Sequence, residues 1–292
     1  MNRHEPYDAI VLGAGPAGLA CSIALAQKGR RVLVLEQWPS LRDKACGDGL
    51  SIECVPYLVQ LGIGEDDLMA AGAARIFRKF EYCQENLKET VYEKPCYGLS
   101  RKSLMGLLYE KARNCDVEIR FGVLAQKPEQ IDGFYEVNGQ FAAKNVVVAT
   151  GAVSAFRPQK VRDLPFGISS RIRGKSIGAD EHAYAFFYGP EYGNGYAWIF
   201  PIGKDLWNVG AWNGDNRKGV ASAYACFEEK ARAMIAFEGY DREPAGAFIG
   251  ASRLGVDPVP NAIGDAAYLA RYESGEGITY ALASALAFAE GC

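Results

Sequence analysis

Residues 7–37 read YDAIVLGAGPAGLACSIALAQKGRRVLVLEQ: an apolar run to Leu12, a glycine-rich turn, a small-residue helix, and a second apolar run from Val32 to Leu35. Strand, tight turn, helix, strand is how a parallel sheet begins, because parallel neighbours need a crossover between them. Gly13, Gly15 and Gly18 stand at GxGxxG spacing. Gly13 permits the turn, Gly15 lets backbone approach a pyrophosphate, and Gly18 lets helix and strand pack closely. Pro16 and Ala17 lie where the helix N-terminus presents its N–H groups to phosphate charge. Glu36 closes the second strand and is followed by Gln37. A carboxylate at that place accepts hydrogen bonds from a ribose hydroxyl and repels a 2′-phosphate. The adenosine half of a dinucleotide is therefore expected here, and the motif by itself fits FAD and NAD alike.

The rest of the composition narrows the partners. Thirty-two basic against 35 acidic residues give a formal net charge of -3 over 292 residues. That balance provides no basic field for nucleic acid and no polybasic strip for anionic lipid. The eight cysteines, at 21, 46, 54, 83, 96, 115, 226 and 292, show no CxxC spacing, and there are two histidines. Neither a metal cage nor a disulfide framework is legible, and reduced thiols are expected. MNRHEPYD leads into the first strand without an apolar leader. No run of roughly 18 to 20 apolar residues is present to span a bilayer, so a cytoplasmic protein without membrane association is expected.

Later segments lean towards FAD. KNVVVATGAVSAFR (144–157) is a buried β-run ending at Ala149, Thr150 and Gly151, and it follows FYEVNGQFAAK, whose Asn138-Gly139 signals a hairpin turn. Ser100 is a good N-cap for a helix that carries Arg101 in its first turn. Residues 73–94 are expected to form a hairpin in a second sheet. The stretch from His182 to Gly214 alternates Tyr184, Phe186, Phe187, Tyr188, Tyr192, Tyr196, Trp198, Phe200, Trp207 and Trp212 as in strands. Residues 220–240 are expected as an amphipathic helix with Phe227, Ala231, Met234 and Ile235 on one side.

Four motifs together resemble the geranylgeranyl reductase branch of the FAD-dependent superfamily that also holds p-hydroxybenzoate hydroxylase-type monooxygenases and flavin halogenases. They are GAGPAGL with Glu36, ACGDGLS at 45–51, YAWIFPIGKDLWNVG at 196–210, and GDAAYLARYESGEGITYAL at 264–282. The resemblance implies an α/β fold: a Rossmann-like FAD-binding domain (residues 1–72, 97–160 and 255–292) interleaved with a β-sheet substrate domain (73–96 and 161–254). It implies that Gly264 and Asp265 meet the ribityl chain and that Gly275, Gly277 and Ile278 set helix N–H groups at the flavin's pyrimidine edge. The positive end of a helix dipole there suits the charge of a reduced flavin. Cys46, Gly47 and Gly49 would border the flavin, Arg101 the phosphates or flavin edge, Ala125 the adenine, and Thr150 and Gly151 the cofactor. Cys46, Trp198, Phe200 and Tyr272 are the candidate catalytic or pocket residues, with Cys46 a proton donor to a reduced double bond or only a small residue in a tight loop.

The sequence departs from its relatives in three places. Tyr268 stands where a Gly usually follows GDAA, and Arg271-Tyr272 stand where small apolar residues are usual. Thr150 replaces an Asp of monooxygenase-like relatives. The chain stops at Cys292 where relatives continue, which suggests an open site completed by a partner subunit, by a carrier-bound substrate, or by nothing. The leading expectation is reduction of a C=C or similar acceptor by reduced FAD, with electrons from NAD(P)H or ferredoxin and a hydrophobic or aromatic substrate that is prenyl or carrier-bound. The alternatives are a hydroxylase, a halogenase using Lys79, and a flavin-binding electron-transfer subunit.

Overall fold

The computed structural model describes residues 5–154, 156, 164–214, 217–251 and 259–292. In chain order the elements are β1 (Tyr7–Leu12), α1 (Pro16–Gln27), β2 (Val32–Glu36), β3 (Gly49–Leu50), α2 (Cys54–Gln60), α3 (Glu65–Ala70), β4 (Ala74–Cys83), β5 (Asn86–Gly98), α4 (Arg101–Asn114) and β6 (Glu118–Phe121). There follow β7 (Glu129–Ile131), β8 (Phe134–Val137), β9 (Phe141–Val148), β10 (Phe166–Ser176), β11 (Ala183–Tyr188), β12 (Tyr196–Gly203), β13 (Leu206–Asn213), α5 (Arg217–Met234), β14 (Ile235–Phe248) and α6 (Ile278–Glu290).

The first sheet has the order β6-β2-β1-β9-β8-β7. Its first four strands are parallel, with Ile10 opposite both Leu33 and Val146, and β7 and β8 join it antiparallel. Central parallel strands are covered on both faces, which is why β1 and β2 are almost wholly apolar. Helices α1, α4 and α6 pack on one side through Leu19, Ile23, Leu104, Leu108, Leu282 and Ala285. Asn138 and Gly139 both take positive φ in the turn into β9, as the Asn-Gly pair predicts.

The second sheet runs β14-β10-β13-β12-β11-β4-β5-β3 and is antiparallel except at the β11/β4 pairing. Strand period 2 splits its side chains. Trp207, Val209 and Ala211 of β13, with Ala197 and Ile199 of β12, turn to α5 and pack on Phe227 and Ala231. Tyr196, Trp198, Phe200 and Trp212 turn to the opposite face. That sorting divides the aromatic run of the sequence into a structural half and a half facing the candidate site.

One expectation needs correction. The helix expected over 220–240 ends at Met234, and residues 235–248 form the edge strand β14 paired with β10. Ile235, Phe237 and Tyr240 favour a strand, and Gly239 has φ +150, a conformation that a helix does not supply. The proposed boundaries at 160/161 and 254/255, and Arg157, lie outside the described residues. Strand β3 belongs to the first proposed domain segment but hydrogen-bonds to β5 in the second sheet.

Candidate active site

The glycine turn is built as its spacing demands. Gly13 has φ +108, and a Cβ there would lie 2.6 Å from the Ala149 carbonyl oxygen. A Cβ on Gly18 would fall 1.9 Å from the Gly13 carbonyl oxygen, so α1 can approach β1 only without a side chain at that position. A Cβ on Gly15 would meet open space, the space that a closely approaching phosphate needs. Pro16 and Ala17 form the first turn of α1 behind it. At the end of β2 the Glu36 carboxylate accepts from Ala14 N at 2.7 Å and from Trp38 N at 3.0 Å, which fixes its direction, while Gln37 is exposed. The chain from Val123 is tied to Glu36 O, and Ala125 packs beside that strand end. Thr150 donates to Ser154, and Gly151 takes φ +76 just beyond β9.

Between β2 and β3 the Lys44–Gly49 segment crosses to the second sheet. Asp48, fully buried with φ +59, is the junction. It accepts from Arg171 Nε at 2.6 Å, Asn208 Nδ2 at 2.7 Å and the Arg101 amide at 2.7 Å. Asp43 completes the set with two 2.6 Å bonds from Arg171 Nη1 and Nη2. Burial opposes the Arg171 charge, but the two carboxylates outweigh it and raise its pKa above the usual guanidinium value. The Cys46 carbonyl accepts from Asn208 and Ser169, and its Sγ accepts from the Asp48 amide. A Cβ on Gly47 would lie 3.6 Å from Phe200 and 3.8 Å from Trp198, and one on Gly49 would lie 3.3 Å from the Tyr184 hydroxyl. Asn208 Oδ1 also accepts from Trp198 Nε1 at 2.7 Å, so one amide orients both the loop and the indole.

The C-terminal motif folds over this loop. Asp265 sits in a short 3-10 turn, accepts from Gly250 N, and stands 4.0 Å from Lys44 Nζ. Gly277 comes so close that a Cβ there would lie 3.1 Å from Asp265 Oδ1, and α6 starts at Ile278. Gly264 has φ +58 with α1 and α6 on either side, and Gly275 lies against Trp212 and Ile249. Tyr268 also occupies the left-handed region at φ +61, and its ring packs with Ala152, Leu164 and Phe248. Left-handed backbone explains why a Gly is usual there, because a bulky side chain carries strain in it. Tyr272 points to the second sheet: its hydroxyl accepts from Asn194 Nδ2 and lies by Gly214. The structure thus gathers Cys46, Gly47, Gly49, Trp198 and Phe200 on one side and Asp265, Gly275, Gly277 and Ile278 on the other.

Such a fold, with a phosphate turn on a parallel sheet and a Gly-rich helix start over a second sheet, defines a dinucleotide-dependent flavoprotein. Residues 6–162, more than half of the chain, match the FAD binding domain family, and the chain belongs to that family. It is 29% identical over 222 residues to digeranylgeranylglycerophospholipid reductase 1 of Methanopyrus kandleri, covering 70% of this chain and 57% of that protein. The chain therefore spans little more than half the length of that relative. A geranylgeranyl bacteriochlorophyll reductase-like protein from Thermoplasma acidophilum superposes with TM-score 0.78 at 21% identity, over 98% of this chain and 77% of that one. A flavin-dependent brominase superposes at 0.74 with 18% identity, over 98% and 79%. The two superpositions establish a shared fold, and the resemblance expected from the four motifs holds.

The residues present fit FAD. Among the described residues, Arg101 Nε is a buried donor that meets no acceptor. A buried donor is rarely left so, and a group with phosphate oxygens supplies what it lacks. Sequence reasoning missed Asp43, Asp48, Asn208 and Arg171. Asp48 lay within the quoted CGDG motif, and a charged residue in the otherwise apolar and small β10 run FGISSRI was the available signal for Arg171.

Proposed function

We propose that this chain carries the cofactor and substrate sites of an FAD-dependent reductase acting on a C=C or similar acceptor. The observation that carries the proposal is the approach of the α6 start and the Cys46–Gly49 loop to a wall formed by Trp198, Phe200 and Trp212. When bound, FAD supplies hydride transfer. The chain's part is to bind, orient and exclude water. Gly15 and the first turn of α1 receive the pyrophosphate, Glu36 the ribose, and Asp265 the ribityl hydroxyls. The α6 N-terminus places positive dipole charge at the pyrimidine edge.

The indole of Trp198, held by Asn208, and the ring of Phe200 keep water from the reacting face and set the height of an apolar acceptor above it. Cys46, half-buried at that face, is the candidate proton donor to the second carbon. Electrons arrive from NAD(P)H docking transiently or from a ferredoxin-like carrier, since the sequence holds no second GxGxxG. The acceptor is a hydrophobic small molecule, prenyl or carrier-bound, and the protein is cytoplasmic. Among the described residues no helix is long and apolar enough to cross a membrane.

Anaerobic incubation of the FAD-loaded, dithionite-reduced protein with a prenylated quinone tests the reaction. Loss of a double bond without oxygen supports reduction. An oxygen-dependent, oxygenated product instead assigns the protein to the hydroxylases of the same fold. Lys79, on which the halogenase alternative depends, is paired with Glu81 at 3.0 Å.

A further inference from the structure

Arg242 of β14 lies opposite Arg171 of β10. Its Nη2 donates to Ser169 Oγ at 2.8 Å, and Ser169 donates to the Cys46 carbonyl, so the guanidinium is held on the face that looks towards the Cys46–Gly49 loop. Its Nε and Nη1 are shut off from solvent and, among the described residues, meet no acceptor. The carboxylates whose fields reach it, Asp48 and Asp43, are already held by Arg171. Burial and then the repulsion of Arg171 act against its charge, with Asp48 and Asp43 opposing, and the balance lowers its pKa. Among the described residues Arg242 has no ion pair of its own. A half-buried cation in that position is left under-solvated and gains from an incoming anion.

The residues beside Arg242 on this face of the sheet are small. Register places Gly167 and Ser169 of β10 and Ala245 and Ala247 of β14 on the same face as Arg242. Phe166 and Phe248 turn the other way, beneath Arg217 of α5. The floor is thus small side chains, and Trp212 and then Trp198 rise beside it on β13 and β12. The position belongs to the second sheet, behind the Cys46 carbonyl, whereas the phosphate turn and Arg101 belong to the first half of the site.

We propose that Arg242 is the polar anchor of this face of the sheet and binds the oxyanion head, a carboxylate or a phosphate ester, of an otherwise apolar substrate. The inference rests on the flavin reading only for which face of the sheet receives substrate. It is tested on the FAD-loaded protein by titrating 2-naphthoate, 2-naphthyl phosphate and uncharged 2-naphthamide, following tryptophan fluorescence and the flavin difference spectrum. At least one anion is expected to bind tenfold or more tightly than the amide. Arg242→Met is expected to abolish that preference with FAD affinity unchanged within twofold, and the tighter anion names the head. Arg242→Lys keeps a charge on a different reach; it should retain a preference for the anion at reduced affinity, and it serves should the Met variant not fold. Equal affinities for the three probes in the unmodified protein, or an anion preference that survives Arg242→Met, would overturn the proposal. FAD titration of the same samples separates the two ideas: an anion preference on a chain that binds no FAD contradicts the flavin reading and leaves the anchor standing.

Discussion

Arg171 and Asp48 meet at 2.6 Å with side chains 1% and 0% exposed, 123 residues apart in sequence. Their pair ties the Cys46–Gly49 loop, the start of α4 and strand β10 into one unit, because Asp48 also accepts from the Arg101 amide and from Asn208. The pair is the fixed point from which both halves of the site are positioned. Removing Arg171 leaves the buried Asp48 carboxylate with neutral donors alone, whereas removing Asp48 leaves Arg171 held by Asp43.

Asp48→Asn keeps the shape and removes the charge. By chemical denaturation it is expected to cost less than the roughly 3–5 kcal/mol usual for breaking one side of a buried pair, because Asp43 still holds Arg171. Arg171→Met takes the cation from both Asp48 and Asp43 and should cost the full amount, about 3–5 kcal/mol, with the double variant costing less than the sum of the two, because the partners share one network. Additive losses would show that the two residues act independently.

Gly15 and Gly18 separate binding from folding. Gly15→Ala adds a methyl to open space, so its melting temperature should stay close to that of the unmodified protein while its affinity for FAD falls at least tenfold. Gly18→Ala forces a carbon onto the Gly13 carbonyl, and it should be lost to aggregation or melt far lower. Calorimetry and FAD titration read both outcomes. A Gly15→Ala protein with full FAD affinity would remove the pyrophosphate from this turn.

The Trp198 indole is held by one hydrogen bond to Asn208 Oδ1. Trp198→Phe keeps an aromatic ring and leaves that oxygen without its donor, at a cost of roughly 1–3 kcal/mol. If the proposed function holds, FAD affinity should change less than twofold and the rate of acceptor reduction should fall tenfold or more, since that reading puts the ring at the substrate and not at the phosphates. Steady-state rates beside FAD titration separate the two effects.

Burial pushes the thiols of Cys21 and Cys54 up to about 12 from an ordinary value of 9.0. Below pH 9 both are protonated in the folded and unfolded chains alike, and their contribution to stability is fully present. As pH rises from about 9 towards 12 the unfolded chain loses protons that the folded chain keeps, so stability falls. In the native protein at pH 8, iodoacetamide should label the exposed Cys83 and Cys226 and spare Cys21 and Cys54 until the chain unfolds. Mass spectrometry of the labelled peptides reads the order.

Much of this architecture was legible because it is local. The β1–α1–β2 unit, the Ser100 cap, the Asn138-Gly139 turn and the start of α6 each depend on a few neighbouring residues whose backbone preferences agree. What escaped depends on contacts far apart in sequence. Nothing local tells Arg171 that Asp43 and Asp48 will saturate it, or Arg242 that they will not reach it. The end of α5 escaped for a related reason: an apolar stripe continues through Met234 and Ile235, and only pairing with β10 turns the next residues into β14. At Tyr268 the departure from the usual Gly was visible, while the left-handed backbone that gives the departure its meaning was not.

Titration of the purified chain with FAD, followed by flavin absorbance and fluorescence, tests the central claim most directly. The account predicts one FAD per chain, with flavin fluorescence quenched by the Trp198 and Trp212 indoles and the quenching relieved in a Trp212→Leu variant that still retains the cofactor. A chain that retains no FAD, or retains it with the fluorescence of free flavin, would contradict a flavin seated between the α6 start and the aromatic wall.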